Sequence, residues 1–297
     1  NNLENITIPE TVTSIGNSAF YYCQSLTSLT LPNSVTSIGE QAFSNCSGLT
    51  SFIIPGGITT VPTRAFSNCR GLTQISIPDS VTSMGEFAFS GCTGFKSITL
   101  PGSITTIARS AFHSCSGLEQ ITLPKKVTAI GELAFYACDS LVKITLPDSV
   151  TTIGRSAFNN CRALQSVTLP SSITTISESA FEDCEKLENI AIPSSVTSIE
   201  ERAFFDCDSL TNVTLPNSVT SIGRQAFANC DNLKSVTIPD SVTTIADMAF
   251  SGCINLTSAT IPASVKSIGD LVFDRCKNLK RVNTGKGNPE AATENGI

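Results

Sequence analysis

The chain has 297 residues and is 40% hydrophobic, with 25 acidic against 19 basic side chains, a net charge of −6 and a sequence pI near 4.9. That balance speaks against nucleic acid, whose phosphates want a basic stripe. Trp is absent and His113 is the single histidine, which starves most metal sites and acid–base mechanisms. No apolar run reaches the ~18 residues of a membrane helix.

The chain is essentially one 23-residue stretch repeated end to end. Its twelve cysteines fall at 23, 46, 69, 92, 115, 138, 161, 184, 207, 230, 253 and 276, one every 23 residues. The Phe of an Ala-Phe pair keeps the same step from Phe20 to Phe273, and so do twelve of the fourteen prolines, from Pro9 to Pro262. A fixed period of this size marks a solenoid, in which each unit touches only its neighbours. This overrides the two-domain expectation that length alone would give. Residues 3–278 form twelve repeats, and residues 279–297 a partial repeat followed by a polar tail expected to be frayed. No signal peptide is visible and Leu3 already lies inside the first repeat. The expectation is an excised piece of a longer protein.

Within one unit the elements follow in order. Leu26, Leu29 and Leu31 give a short strand with one face inward. Pro32 has no N–H for a ladder and ends that strand. Asn33 and Ser34 turn the chain. Val35 and Ile38 point inward from a second extended segment, and Gly39 permits a bend. Ala42, Phe43 and Cys46 suit a short helix or 3-10 turn with one buried side. The fold class is therefore an α/β solenoid, with a parallel sheet on a concave face and short extended segments and helical or 3-10 turns on the other walls. Twelve cysteines at one station form an inward ladder with rungs ~4.8 Å apart. Parallel side chains suit the disulfide dihedral poorly, so the expectation is buried free thiols acting as small hydrophobes. Metal binding would want paired cysteines at short spacing, and no CxxC occurs.

The unit LxxLxLPxxVxxIGxxAFxxCxx resembles the BspA-like leucine-rich repeat, the Treponema-type class of 23-residue period, over residues 3–278. The resemblance implies a right-handed, curved solenoid from a secreted or surface-anchored bacterial or protist protein. Some members are adhesins for host matrix proteins. The family's motif residues are scaffold, so no functional residue carries over.

Outward strand stations mostly hold Ser or Thr. Lys96, Glu119, Gln120, Val142, Lys143, Gln165, Glu188 and Asn189 depart from that pattern and are the candidate binding residues of the concave face. Their functional reading is a groove for a protein or glycan, since solenoids bind through regular surfaces varied at outward sites. Against it stands a solvated β-face filled with strand formers. An ice-binding face, suggested by the threonines, is a compositional match alone. Tyr21, His113, Tyr136 and Phe205 share the station after the Ala-Phe pair and read as single aromatics several coils apart. Acids gather between Glu178 and Asp208, without the spacing of a calcium loop. Arg275, Lys277, Lys280, Arg281 and Lys286 read as a charged end that discourages stacking of copies. No catalytic motif appears.

The sequence thus predicts a non-enzymatic, adhesin-like surface or secreted module with no cofactor and no metal. Its partner would be a protein or glycan, extracellular matrix among the candidates, with no nucleic acid and no membrane insertion of this segment, and the module a monomer. The alternative is a structural spacer that presents another domain of a larger surface protein.

Overall fold

A computed structural model describes residues 2–284 of the chain. The frayed tail expected beyond Thr284 lies outside the described residues. The chain divides into two compact units, residues 1–150 and 151–297.

In the first unit the strands run β1 (Ser14–Ile15), β2 (Ser37–Ile38), β3 (Ser51–Ile53), β4 (Thr60–Val61), β5 (Gln74–Ser76), β6 (Ser83–Met84), β7 (Ser97–Thr99), β8 (Thr106–Ile107), β9 (Gln120–Thr122), β10 (Ala129–Ile130) and β11 (Lys143–Thr145). From β3 on, a three-residue strand alternates with a two-residue strand. The longer ones form one wall, the sheet wall, where β3 pairs with β5, β7 with β9 and β9 with β11. The shorter ones form a second wall, where β1 pairs with β2, β4 with β6 and β8 with β10. All these pairs are parallel, because each coil returns to the same heading before meeting its neighbour. The register is one repeat, so Ser97 faces Gln120 and Gln120 faces Lys143.

The second unit repeats the scheme. Its strands are β12 (Thr152–Ile153), β13 (Ser166–Thr168), β14 (Thr175–Ile176), β15 (Asn189–Ala191), β16 (Ser198–Ile199), β17 (Asn212–Thr214), β18 (Ser221–Ile222), β19 (Ser235–Thr237), β20 (Thr244–Ile245), β21 (Ser258–Ile261), β22 (Ser267–Ile268) and β23 (Arg281–Thr284). The odd strands from β13 to β23 make the sheet wall, and the even strands from β14 to β22 the second wall. Both ladders are parallel, with Ser166 facing Asn189 and Asn189 facing Asn212.

The inward stations are dry in the coils away from the two ends, with few exceptions such as the half-buried Ile75. Leu26, Val35, Ala42, Phe43 and Cys46 are all fully buried. The phenylalanines stack in register, at 5.3 Å between Phe43 and Phe66 and 5.2 Å between Phe204 and Phe227, with interplanar angles of 14° and 11°. Such spacing fits the offset stacking that aromatic quadrupoles favour. Phe52, which stands where most coils carry Leu, Ile or Val, packs between Phe43 and Phe66 at 4.8 and 4.9 Å. The proline ends the strand and also closes the turn. The Pro32 carbonyl accepts the Val35 N–H at 3.0 Å, and the Ser34 hydroxyl donates to the Val12 carbonyl of the preceding coil at 2.7 Å.

The third wall differs from the sequence expectation. The described residues contain no helix or 3-10 segment, and the wall carrying the Ala-Phe pair is built of successive β-turns. Two residues per coil explain this. Those just before the Ala and just before the Cys take left-handed φ values, as at Gln41 (57°) and Asn45 (62°). Left-handed residues end a right-handed helix and cost ~1–2 kcal/mol each. The hydrogen bonds show what the conformation achieves. Ala42, Ser44 and Cys46 donate within the coil to Gly39, Gln41 and Phe43, whereas Gln41, Phe43 and Asn45 donate to Thr63, Ala65 and Ser67 of the next coil. Every second N–H is thus turned outward along the stack, which a helix cannot do because all its N–H groups point along its own axis.

None of the cysteines is in a disulfide, and each is buried except Cys276, which is partly exposed. The Cys46 thiol donates to the Phe20 carbonyl at 3.0 Å, and the Cys207 thiol to the Phe181 carbonyl at 3.1 Å. The file therefore satisfies carbonyls of the turn wall as well as filling space. Burial pushes the thiols of Cys46 and Cys115 up to about 12, which keeps them protonated as donors.

Candidate functional site: the sheet wall

The two strand-bearing walls of a coil treat their outward residues differently. On the second wall the residue after the inward Val or Ile is Thr in every coil from Thr13 to Thr243. Its hydroxyl bonds to the carbonyl of its counterpart one coil back, as from Thr36 to Thr13 at 3.4 Å, Thr82 to Thr59 at 3.3 Å and Thr220 to Thr197 at 3.1 Å. This station is exposed yet serves the stack itself.

On the sheet wall the matching station starts in the same way. In the first unit it holds Thr27, Thr50 and Thr73, with hydroxyl bonds from Thr50 to the Thr27 carbonyl at 3.3 Å and from Thr73 to the Thr50 carbonyl at 3.1 Å. Then it changes to Lys96, Glu119 and Val142, which have no hydroxyl for that bond. A net hydrogen bond is worth about 0.5–1.5 kcal/mol, less where water competes. Two of these coils forgo it for larger charged groups, Lys96 and Glu119, and the third for the apolar Val142.

The sequence-predicted residues of the first unit lie together on this wall, all exposed. Lys96 and Glu119 pair at 2.8 Å across adjacent coils. Gln120 faces Lys143 in register, and the Val142 N–H donates to the Glu119 carbonyl at 3.2 Å. In the second unit Gln165, Glu188 and Asn189 are exposed on its sheet wall. There the Glu188 N–H donates to the Gln165 carbonyl at 3.4 Å, and the Thr211 hydroxyl lies 3.5 Å from Asn189 Oδ1.

Each sheet wall also has an open depression that sequence reasoning did not locate. In the first unit it measures about 750 Å³ over β3, β5 and β7, lined by Ser51, Ile53, Gln74, Ser76, Lys96 and Thr99 among others. In the second unit one of about 390 Å³ lies over β15 and β17, lined by Asn189, Ala191, Asn212 and Thr214. In both, the last strand station is aliphatic, Ile53 or Ala191, where most coils carry Thr. That break in the Thr file was the available signal.

The turn wall carries the remaining candidates. His113 and Tyr136 occupy adjacent coils, so the reading of isolated aromatics is corrected: their rings stack at 4.8 Å, and the Ser114 hydroxyl lies 2.9 Å from His113 Nδ1. Burial lowers the His113 pKa, so the ring is neutral at pH 7. Phe205 lies under Arg202, whose guanidinium carbon is 4.1 Å from the ring centre.

Four of the acids flagged between Glu178 and Asp208 pair with arginines one coil away. Arg155 pairs with Glu178 at 2.8 Å, Arg162 with Glu185 at 3.5 Å, Arg202 with Glu182 at 2.6 Å and Arg224 with Glu201 at 3.0 Å. Asp183, Asp208 and Asp231 have carboxyls raised by burial and then by mutual repulsion with neighbouring acids, Asp208 to about 6. Among the described residues no group of three or more His, Cys, Asp or Glu side chains is arranged to hold a metal ion.

In each unit, parallel coils with two strand files, and side chains varied on one of them, define a repeat protein of the leucine-rich class. The BspA type leucine rich repeat region model matches residues 1–119, 106–231 and 197–291, and the chain belongs to that family. It is similar to a leucine-rich repeat protein from Bacteroides ovatus at 35% identity and a TM-score of 0.75, over 80% of this chain and 63% of that one. The chain thus spans less than two thirds of that protein. It is similar to a leucine rich cell surface protein of Faecalibacterium prausnitzii at 33% identity and a TM-score of 0.66, over 96% of this chain and 88% of that one. It is also similar to the Treponema pallidum leucine rich repeat protein, at 35% identity and a TM-score of 0.51, over 62% of this chain and 82% of that one. No curated protein sequence matches. No enzyme family is indicated among these matches.

Proposed function

We propose that this chain is a non-enzymatic binding module of a surface or secreted protein, recognising a protein or glycan through its sheet wall. One observation carries the reading. At an exposed station where Thr would tie coil to coil, the first unit places Lys96, Glu119 and Val142 instead, and the one tie these make between coils is an exposed ion pair, Lys96 with Glu119. A regular scaffold varied at outward sites is how solenoids bind. The Faecalibacterium relative is described as a cell surface protein, which supports the location. The test is titration of the purified protein against matrix proteins and mucin glycans. Saturable binding that weakens in Glu119→Lys combined with Lys143→Glu supports the sheet wall. No saturable binding, or binding untouched by the double variant, contradicts it and favours a spacer that presents another domain.

A further inference from the structure

We propose that the sheet wall of the first unit takes an extended polypeptide segment laid along the stack, with an apolar side chain on Ile53 and a carboxylate on Lys143. The inference rests on the binding reading above and gives its ligand a chemistry.

Ile53 is the apolar anchor. It is 68% exposed, at a station that holds Thr7, Thr30, Ser76, Thr99, Thr122 and Thr145 in the other coils of the unit. Nothing in the packing requires it, because its side chain faces out, beside the inward Phe52. It borders the depression of about 750 Å³ on this wall, within the size range of ligand sites. A single aliphatic side chain in a hydroxyl-lined hollow suits one apolar side chain of a partner.

Lys143 supplies the charge. The wall has two lysines among its candidate residues, and they differ. Lys96 is held by Glu119 at 2.8 Å, whereas Lys143 forms no ion pair among the described residues. Its neighbour one coil back is Gln120, and Gln74 stands at the same station further along. Amide side chains offer two donors and an acceptor each, which suits a peptide backbone passing over them. An unpaired ammonium at the end of that row is complementary to a carboxylate.

The spacing sets the length. Ile53 and Lys143 are four coils apart, roughly 19 Å at the usual inter-strand distance. An extended chain covers that in about six residues. Sugar rings are usually gripped by stacking their C–H faces on aromatic rings. The aromatic rings of this wall, Phe52 and Phe95, are buried. An apolar-to-acidic polypeptide therefore fits the surface better than a glycan.

The test screens the full chain on an array of synthetic hexapeptides, beside an array of mucin O-glycans. Half of the peptides carry Leu or Phe at one end and Asp or Glu at the other. The other half carry Lys in place of the acid. The acidic set is expected to bind. Lys143→Glu should weaken that set about tenfold and shift selection to the Lys set, and Ile53→Thr should remove the preference for Leu or Phe. Both sites are exposed and Thr is native to the Ile53 station, so an unchanged unfolding midpoint is the folding control. Glycan binding that Lys143→Glu abolishes would overturn the polypeptide ligand and leave the sheet-wall reading standing. Binding of either class untouched by both variants would overturn both readings. No binding on either array overturns the polypeptide proposal.

Discussion

The second wall and the sheet wall are both made of short parallel strands, of two and of three or four residues respectively, yet they spend their outward residues in opposite ways. Along the second wall Thr recurs from Thr13 to Thr243 and its hydroxyl is tied back to the coil before, as from Thr197 to Thr174 at 3.2 Å. Along the sheet wall the same bond is made by Thr50 and Thr73 and then given up at Lys96, Glu119 and Val142. Exposure does not separate the two stations, since both face water. What separates them is whether the hydroxyl works for the stack. An outward Thr is thus not evidence of an idle surface, and its absence is the informative event.

The largest expected effect lies beneath both walls and sets the scale. Phe181 is fully buried between Phe158 and Phe204, at centroid distances of 5.4 and 5.5 Å. Phe181→Ala should cost ~3–5 kcal/mol through lost transfer energy and an unfilled cavity, read by urea denaturation. A loss below about 1 kcal/mol would mean that the aromatic file does not hold the coils. Next comes the second wall itself. Thr220→Val keeps the shape and the strand propensity but removes the hydroxyl that reaches the Thr197 carbonyl. It should cost about 0.5–1 kcal/mol, and a neutral result would reduce the Thr file to a surface filler.

A smaller effect concerns charge in the second unit. The folded-state pKa of Asp208 is raised to about 6, by burial first and then by Asp231, Asp206, Glu185 and Asp183. The folded state therefore holds a proton that the unfolded state has released between the ordinary value of 3.8 and about 6. Ionisation then burdens the folded state: the penalty is absent below pH 3.8 and complete above about 6, so stability falls as pH rises through that window. The carboxylate is only partly desolvated and water screens it, so the effect is modest. Asp208→Asn should raise the unfolding midpoint at pH 7 and flatten its pH dependence between pH 4 and 6. An unchanged pH profile would contradict the repulsion.

Much of this molecule was legible before any coordinates. Cysteine, phenylalanine and proline at one step gave the period, the inward stations and the parallel walls, because a repeat cannot keep its length while its buried side drifts. The helical expectation for the turn wall fails for a definite reason. Its first left-handed residue is Ser18, Gln41, Arg64, Phe87, Ser110 and Leu133 in successive coils, and none of these advertises positive φ as glycine would. The second, by contrast, is often Asn, Asp or Gly, as at Asn45, Asn68, Asp183 and Gly252, a usable sign of the left-handed region. Charge pairing was legible too, had partners been sought one period away: Arg109 with Glu132, Arg155 with Glu178 and Glu201 with Arg224 are all 23 apart. The candidate residues on the sheet wall were found because they break a pattern. The bond they give up was hidden, since sequence shows a missing hydroxyl but not the carbonyl it would have reached.

The contrast between the walls is tested most directly by restoring the Thr file where it stops. Lys96→Thr, Glu119→Thr and Val142→Thr together reinstate three coil-to-coil hydroxyl bonds and remove one exposed ion pair, which is worth about 0–1 kcal/mol. The urea midpoint of this triple variant should rise, by roughly 1 kcal/mol in unfolding free energy, with ligand binding lost. A midpoint that falls would show that Lys96, Glu119 and Val142 serve the stack after all, and the sheet wall would lose its claim to be the binding face.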